Sequence, residues 1–235
     1  MSKSYYSLGL MSGTSGDGVD ASVIHSDGDT KYRAIKNKYF EYDKQIYGNI
    51  HNLKEKIHNL VDLKKFAKEL IDLERQITLF HVEVIKEVDK HQKSDVIGFH
   101  GQTIYHNSQE KISRQLGNGK LLSQLTKKKV VYNFRQNDIK NGGEGAPLSP
   151  IFHKLIVEQN KIELPVCILN IGGISNITFV NKNNQDIFFS RDLGPGNCLI
   201  DEWIRKKTKK SYDNDGEIAK KGKVEISILN HALDD

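Results

Sequence analysis

The plan strand, strand, strand, helix begins twice in this chain, at Tyr5 and again at Val166, and directs it toward a layered α/β architecture. Residues 5–11, 19–25 and 31–39 read as strands from their apolar runs, with the turn signal SDGD between the second and third. A long helical region follows, because Leu53, Ile57, Leu60, Phe66, Leu70, Ile77, Phe80, Val84 and Val88 recur every three to four residues and form one apolar stripe. Residues 95–99 and 129–134 are short strands ending in HGQT and FRQND, with a short helix at 121–126 between them. After the turn-rich NGGEGAPLSP, residues 151–158 form a helix. Residues 166–171, 174–180 and 187–190 repeat the strand plan around the tight turn Gly172–Gly173, and a helix follows at 197–207. As a repeat the echo is short and degenerate. Two such copies facing each other would enclose a cleft between their glycine loops.

The first of those loops lies in GLMSGTSGDGVD, from Gly9 to Asp20. Gly13, Gly16 and Gly18 permit close backbone approach, so that successive N–H groups converge on an anion, while Ser12, Thr14 and Ser15 add hydroxyl donors. Asp17 and Asp20 stand where a phosphate-bound magnesium ion or its water shell would be held. The segment lacks G-x-x-x-x-G-K-[ST] and opens no helix, so it is neither a Walker A loop nor a dinucleotide fingerprint. An ordinary Gly/Ser hairpin turn is the competing reading.

Composition narrows the class. At 235 residues, the chain has room for one large domain or two ordinary ones, and 37% hydrophobic with 28% charged residues describes a globular protein rather than a disordered one. No apolar run approaches the roughly 20 residues of a membrane span. The start, MSKSYYSLGL, has no signal-peptide core, so a cytoplasmic location is expected. The two cysteines, Cys167 and Cys198, make no disulfide framework or zinc pattern. The +5 net charge comes from scattered lysines without a basic helix or an aromatic-interleaved stripe, which argues against a nucleic-acid partner.

Seven blocks in order identify a resemblance: GLMSGTSGDGVDAS, GFHGQTIYH, QLGNG, VVYNFRQNDIKNGGEGAPLSPIFH, NIGGISNIT, DLGPGNCLIDEW and YDNDGEIAKKG. They cover nearly the whole chain, which resembles the anhydro-N-acetylmuramic acid kinases of the actin, Hsp70 and sugar-kinase superfamily. The resemblance implies an actin/hexokinase-like, ribonuclease H-like fold with central mixed sheets in two domains, 1–160 and 161–235, closing over ATP. Two departures stand out: Leu193 where the family usually has threonine, and Glu144 where it commonly has glutamine. Family members also continue past the YDNDG block into a glycine-rich motif that holds adenosine. The second domain is therefore expected to be incomplete, and a non-catalytic fragment that binds sugar without the adenosine site is the alternative reading.

The implied reaction is hydrolytic opening of the 1,6-anhydro bridge of the sugar with transfer of the ATP γ-phosphoryl group to O6, in peptidoglycan recycling. The resemblance makes Asp192 the base that activates water; in isolation it would be an N-cap or turn aspartate. Ser12, Gly13, Thr14, Ser15, Gly16, Asp17, Gly18 and Asp20 are expected at the ATP phosphates, with Asp17 and Asp20 at Mg²⁺. Gly172, Gly173 and Asn176 are expected at the nucleotide from the second hairpin. For the sugar, the loops 100–103, 134–138 and 142–147 are expected at strand ends. Arg135 suits the lactyl carboxylate, His100 and Gln102 suit sugar or phosphate oxygens, and Asp138 either orients Arg135 or stands near the water. Glu144 is a further candidate. The bland alternatives are a satisfied buried histidine for His100, a surface ion pair for Arg135 and a solvated loop for Glu144. Asp213, Asp215 and Gly216 read equally as cleft residues or as a polar turn. A homodimer is implied by the resemblance alone.

Overall fold

A computed structural model describes residues 3–91, 93–181 and 189–234. Its internal contacts divide the chain into two units, Met1–Ile168 with Thr178–Arg191, and Leu169–Ile177 with Asp192–Asp235.

Unit 1 is built on a mixed sheet in the order β3-β2-β1-β4-β5, with β6 paired to β4. β1 (Tyr5–Ser12), β2 (Gly18–Ser26) and β3 (Tyr32–Glu41) form an antiparallel meander. Alternation puts Leu8, Leu10 and Ser12 of β1 and Val19, Ala21 and Val23 of β2 on the buried face. That face is covered by α1 (Lys44–Lys54) and α3 (Ala67–Val88), whose Ile50, Leu53, Leu73 and Ile77 complete the core.

The long apolar stripe of the sequence is three helices and not one. α1 starts earlier than the stripe, where the Asp43 side chain accepts the Ile46 N–H at 2.8 Å. It stops at Lys54, and Asn59 then caps α2 (Leu60–Lys65) by accepting from Val61 and Asp62. Phe66 separates α2 from α3. The three-to-four spacing runs across these breaks although α2 itself buries no residue fully and packs on α3.

β4 (Val96–Asn107) corrects the expectation of a short strand followed by an HGQT loop: the motif lies inside the strand. Its first half runs parallel to β1 and β6 (Lys129–Tyr132), and its second half runs antiparallel to β5 (Ile112–Leu116). β5 carries Ser113, Arg114 and Gln115 and had no strand-like pattern; pairing with β4 and the Arg114–Glu74 ion pair at 2.9 Å hold it in place. α4 (Gly119–Thr126) matches the expected short helix. FRQND is not a loop either, since α5 spans Phe134–Lys140. α6 (Pro150–Gln159) follows, and its Gln159 amide pairs with both backbone groups of Tyr32 on the edge strand β3, at 2.7 and 3.0 Å.

A second sheet contains β7 (Val166–Ile171), β8 (Ile174–Val180) and β9 (Phe189–Pro195), in that order. The boundary between the two units falls within these strands. Of the strand expected at 187–190, residues 187–188 lie outside the described residues. β9 extends past it to Pro195, so Asp192 sits inside a strand and not beyond its end. α7 (Cys198–Lys207), two short 3-10 turns and α8 (Ile226–Asp234) complete unit 2. The α/β class with a central mixed sheet and a second sheet is as the sequence led one to expect. Among the described residues, no helix is long and apolar enough to cross a membrane.

Candidate functional site

The β1–β2 loop is held from below by a closed polar network. Ser12 is buried, and its Oγ lies 2.6 Å from Gln102 Oε1, 2.9 Å from the Gly18 carbonyl and 3.0 Å from Tyr42 Oη. A hydroxyl has one proton to give, so Ser12 donates to one of the two carbonyl-type oxygens and accepts from Tyr42. Burial raises the Tyr42 pKa and keeps the phenol protonated for that role. Gln102 in turn donates from Nε2 to the Gly13 carbonyl at 2.9 Å and to the Thr103 carbonyl at 3.2 Å. Gln102 is fully buried and committed to these bonds, so it acts on the loop rather than reaching out from it.

The upper rim is open. Gly16 donates to the Gly13 carbonyl at 3.1 Å, making a tight turn, and Tyr42 N–H fixes the Asp17 carbonyl at 2.8 Å. Thr14, Ser15, Asp17 and Asp20 are exposed, with Ser15 Oγ donating to Asp17 Oδ1 at 2.6 Å. Burial first, and then the negative charge of Asp17, raises the Asp20 pKa. Two carboxylates that repel one another in this way are a donor set that a hard divalent cation would relieve. Among the described residues there is no group of three or more metal-ligating side chains.

Helix α1 also reaches the loop. Lys54 Nζ donates to the Thr14 carbonyl. Burial lowers its pKa to about 8, against the opposing pull of Asp17. Neither Lys54 nor Tyr42 was singled out from the sequence. The missed signal is the start of α1: Asp43 as a cap followed by Ile46, Ile50 and Leu53 at helical spacing places Lys54 in the last turn.

The second cluster of unit 1 joins β4, α5 and the loop after it. His100 donates from Nδ1 to the Gly101 carbonyl at 2.7 Å and accepts Arg135 Nε on Nε2 at 2.9 Å. Burial and then the Arg135 charge lower the His100 pKa to about 4, so the ring is neutral, as an acceptor for arginine must be. Arg135 also donates from Nη1 to the Gly145 carbonyl at 3.0 Å, and the Gly145 N–H donates to Asp138 Oδ2 at 2.8 Å. Asp138 thus acts on Arg135 through the Gly145 peptide. Glu144 is exposed and makes no hydrogen bond or ion pair among the described residues.

In unit 2, the Gly172 carbonyl accepts from Asn197 N–H at 2.8 Å, and the Gly173 carbonyl accepts from Gly196 N–H at 2.9 Å. Gly196 is required here because a Cβ would stand 2.1 Å from the Gly172 oxygen, whereas Gly172 and Gly173 have ordinary space around them. Asn176 Oδ1 is shut off from solvent without a hydrogen-bond partner among the described residues. Asp192 is exposed on β9, and its side chain makes no hydrogen bond or ion pair among the described residues.

The model of the anhydro-N-acetylmuramic acid kinase family matches residues 5–235. Curated proteins named anhydro-N-acetylmuramic acid kinase are similar to the chain. That of Pelagibacter ubique (strain HTCC1062) is 59% identical over 100% of this chain and 63% of its own length. That of Agrobacterium fabrum (strain C58 / ATCC 33970) is 38% identical over 94% of this chain and 61% of its own length. That of Gluconobacter oxydans (strain 621H) is 38% identical over 97% and 63%. The chain therefore spans less than two thirds of the length of these relatives. With the loop, its supports and the seven ordered blocks accounted for over residues 5–235, the chain belongs to the anhydro-N-acetylmuramic acid kinase family.

Proposed function

We propose that this protein is an ATP-dependent kinase that opens 1,6-anhydro-N-acetylmuramic acid with water and phosphorylates O6, in cytoplasmic recycling of cell-wall sugar. The observation that carries the reading is the β1–β2 loop, whose floor is locked by Ser12, Gln102 and Tyr42 while its rim of Thr14, Ser15, Asp17 and Asp20 stays open. A phosphate chain needs such pre-set donors, because phosphoryl transfer gains its rate from positioning and charge neutralisation.

Within this reading, the loop from Ser12 to Gly18 holds the phosphates on its open rim, with buried Ser12 bracing it, and Asp17 and Asp20 hold Mg²⁺, which when bound would neutralise phosphate oxygens. Their mutual repulsion supports that role. Gly172, Gly173 and Asn176 are assigned to the nucleotide. Arg135, held by neutral His100 and the Gly145 carbonyl, supplies the positive charge for the sugar carboxylate. Asp192 takes the proton of a water that adds to C1 as the C1–O6 bond breaks. O6 then bonds to the γ-phosphorus, and ADP leaves.

The test is ADP release from ATP with and without the anhydro sugar, for wild type and Asp192→Asn, with the sugar phosphate product weighed by mass spectrometry. Sugar-dependent ADP release that falls at least about a thousandfold in the variant, at unchanged melting temperature, supports the assignment. Full activity in Asp192→Asn refutes the base. Sugar binding without any turnover by wild type refutes the kinase reading in favour of a sugar-binding protein.

A further inference from the structure

Lys54 is the described cation closest in function to the β1–β2 loop, and the fold brings it there deliberately. Three residues of the last turns of α1 meet that loop. Ile50 packs where a Gly16 side chain would lie, its Cγ2 2.8 Å from that Cβ position, His51 Nε2 is 3.8 Å from the same point, and Lys54 Nζ bonds the Thr14 carbonyl. Among the described residues, the Thr14 carbonyl is the one hydrogen-bond acceptor of Nζ, and no carboxylate lies within ion-pair distance of it. An ammonium carries three donors, and the Thr14 carbonyl accepts only one of them. The side chain is half-buried, so its charge is less fully hydrated than that of a surface lysine.

We propose that Lys54 is a phosphate-binding residue: while one N–H holds the Thr14 carbonyl, a second takes an oxygen of the phosphate chain lying on the loop. This inference rests on the kinase reading and adds to it a residue outside the glycine hairpin. It also gives α1 a role beyond packing, since seating of the helix sets the position of the charge. Replacing a water or nothing with a phosphate oxygen converts a poorly compensated ammonium into a charge-assisted pair.

Of the charged and titratable groups on the elements around Lys54, Asp17 acts on it most directly. Asp17 faces it from the loop and favours its charged form. Asp20 lies on β2 beyond Asp17, and His51 lies one turn back on α1. α3 and β4, the elements packed on α1, contribute His81 and His100, both with pKa values lowered to about 4 by burial and so uncharged above neutrality. Since the Lys54 ammonium has its pKa lowered to about 8, it is charged at pH 7 and largely neutral at pH 9. Phosphate binding through it therefore weakens as pH rises across that interval and draws a proton from solution near its upper end.

The experiment is calorimetric titration of ATP into wild type, Lys54→Met and Lys54→Arg at pH 7 and pH 9, in buffers of different ionisation enthalpy. Folding is checked by far-ultraviolet ellipticity and thermal melting. At pH 7, Lys54→Met is expected to bind ATP about ten- to a hundredfold more weakly, the loss of one charge-assisted hydrogen bond, while Lys54→Arg binds within a few-fold of wild type. Wild type should lose affinity between pH 7 and 9 with proton uptake, and Lys54→Arg should not. Equal affinity and equal pH dependence in wild type and a folded Lys54→Met overturn the role of Lys54 and leave the kinase reading standing. If Lys54→Met fails to fold, Lys54→Arg decides: retention of the wild-type affinity loss and proton uptake overturns the proposal. Absence of ATP binding by wild type overturns the phosphate-loop reading and this proposal with it.

Discussion

The two glycine hairpins of this protein are alike in sequence and different in how they are held. The β1–β2 hairpin of unit 1 is locked by side chains. Leu8, Leu10, Ser12 and Val19 are buried around it, Gln102, Tyr42 and Lys54 bond to it, and Gly18 leaves no room for a side chain. The β7–β8 hairpin of unit 2 is held by backbone hydrogen bonds from the 196–198 segment, while Leu169 and Ile171 on its first strand are exposed. The loop of one hairpin is braced by buried side chains, and the loop of the other by main-chain hydrogen bonds. A glycine therefore means something different in each: in unit 1 two loop glycines, Gly16 and Gly18, are themselves crowded, whereas in unit 2 the crowded one is Gly196, outside the loop.

Substitution of these glycines tests the contrast most strongly. In Gly18→Val, even the first side-chain atom stands 2.4 Å from the Phe40 carbonyl and 2.6 Å from Tyr39 Oη. We expect a loss of about 3 kcal/mol, read as a fall in melting temperature of roughly 6–12 °C, together with loss of ATP binding. Gly196→Ala should instead disturb unit 2, and Trp203, the only tryptophan of the chain, reports it by fluorescence. If Gly18→Val melts as wild type does, the locked-cradle description of unit 1 is wrong.

Acidification acts next, and on unit 1. His81 and His100 have pKa values lowered to about 4, in both cases chiefly by burial. The unfolded chain takes up protons near pH 6.5 that the folded unit refuses, so the stabilising contribution is complete above 6.5 and is lost as pH falls toward 4. Denaturant midpoints followed by ellipticity should decline through that window by the equivalent of a few kcal/mol. His81→Phe should flatten the decline, and an unchanged slope in that variant would remove His81 from the account. Ser12→Ala comes third, costing about 1–3 kcal/mol because Gln102 Oε1 and Tyr42 Oη lose a buried partner, with weaker ATP binding as the second readout. At the small end, Gly172→Ala should leave the melting temperature within error, since its Cβ would meet nothing closer than 3.7 Å.

Much of the fold is legible in the residues. β1, β2, β7, β8 and α7 stand where alternating apolar runs and the glycine turns place them, because period and burial are written locally. β5 and the second half of β4 were not legible: Ser113 to Gln115 and Gln102 to His106 have no strand pattern of their own, and each segment supplies ladder hydrogen bonds to the other. The stripe from Leu53 to Val88 holds the buried Leu53, Ile57, Leu70, Ile77, Val84 and Val88, with Leu60, Phe66 and Phe80 only half-buried, and it hid two breaks, since hydrophobic spacing records the face a chain presents and not its continuity. In the site, the sequence singled out His100, Gln102, Arg135 and Asp138 by residue type, but their connections are three-dimensional. Gln102 became a brace for Ser12 and Gly13, and Asp138 came to act through the Gly145 peptide.

What the sequence by itself determined is the family: glycine and hydroxyl residues with two aspartates in one hairpin, a second hairpin of similar plan, and seven blocks in family order over residues 5–235. What only the tertiary structure decided is which groups are charged, buried and in contact. Lys54 reaches Thr14 from 40 positions away, and Gln102 reaches Ser12 from 90 positions away. Such pairs leave no periodic trace, because their energy comes from burial and hydrogen-bond geometry that exist only once α1 and β4 have packed against the loop.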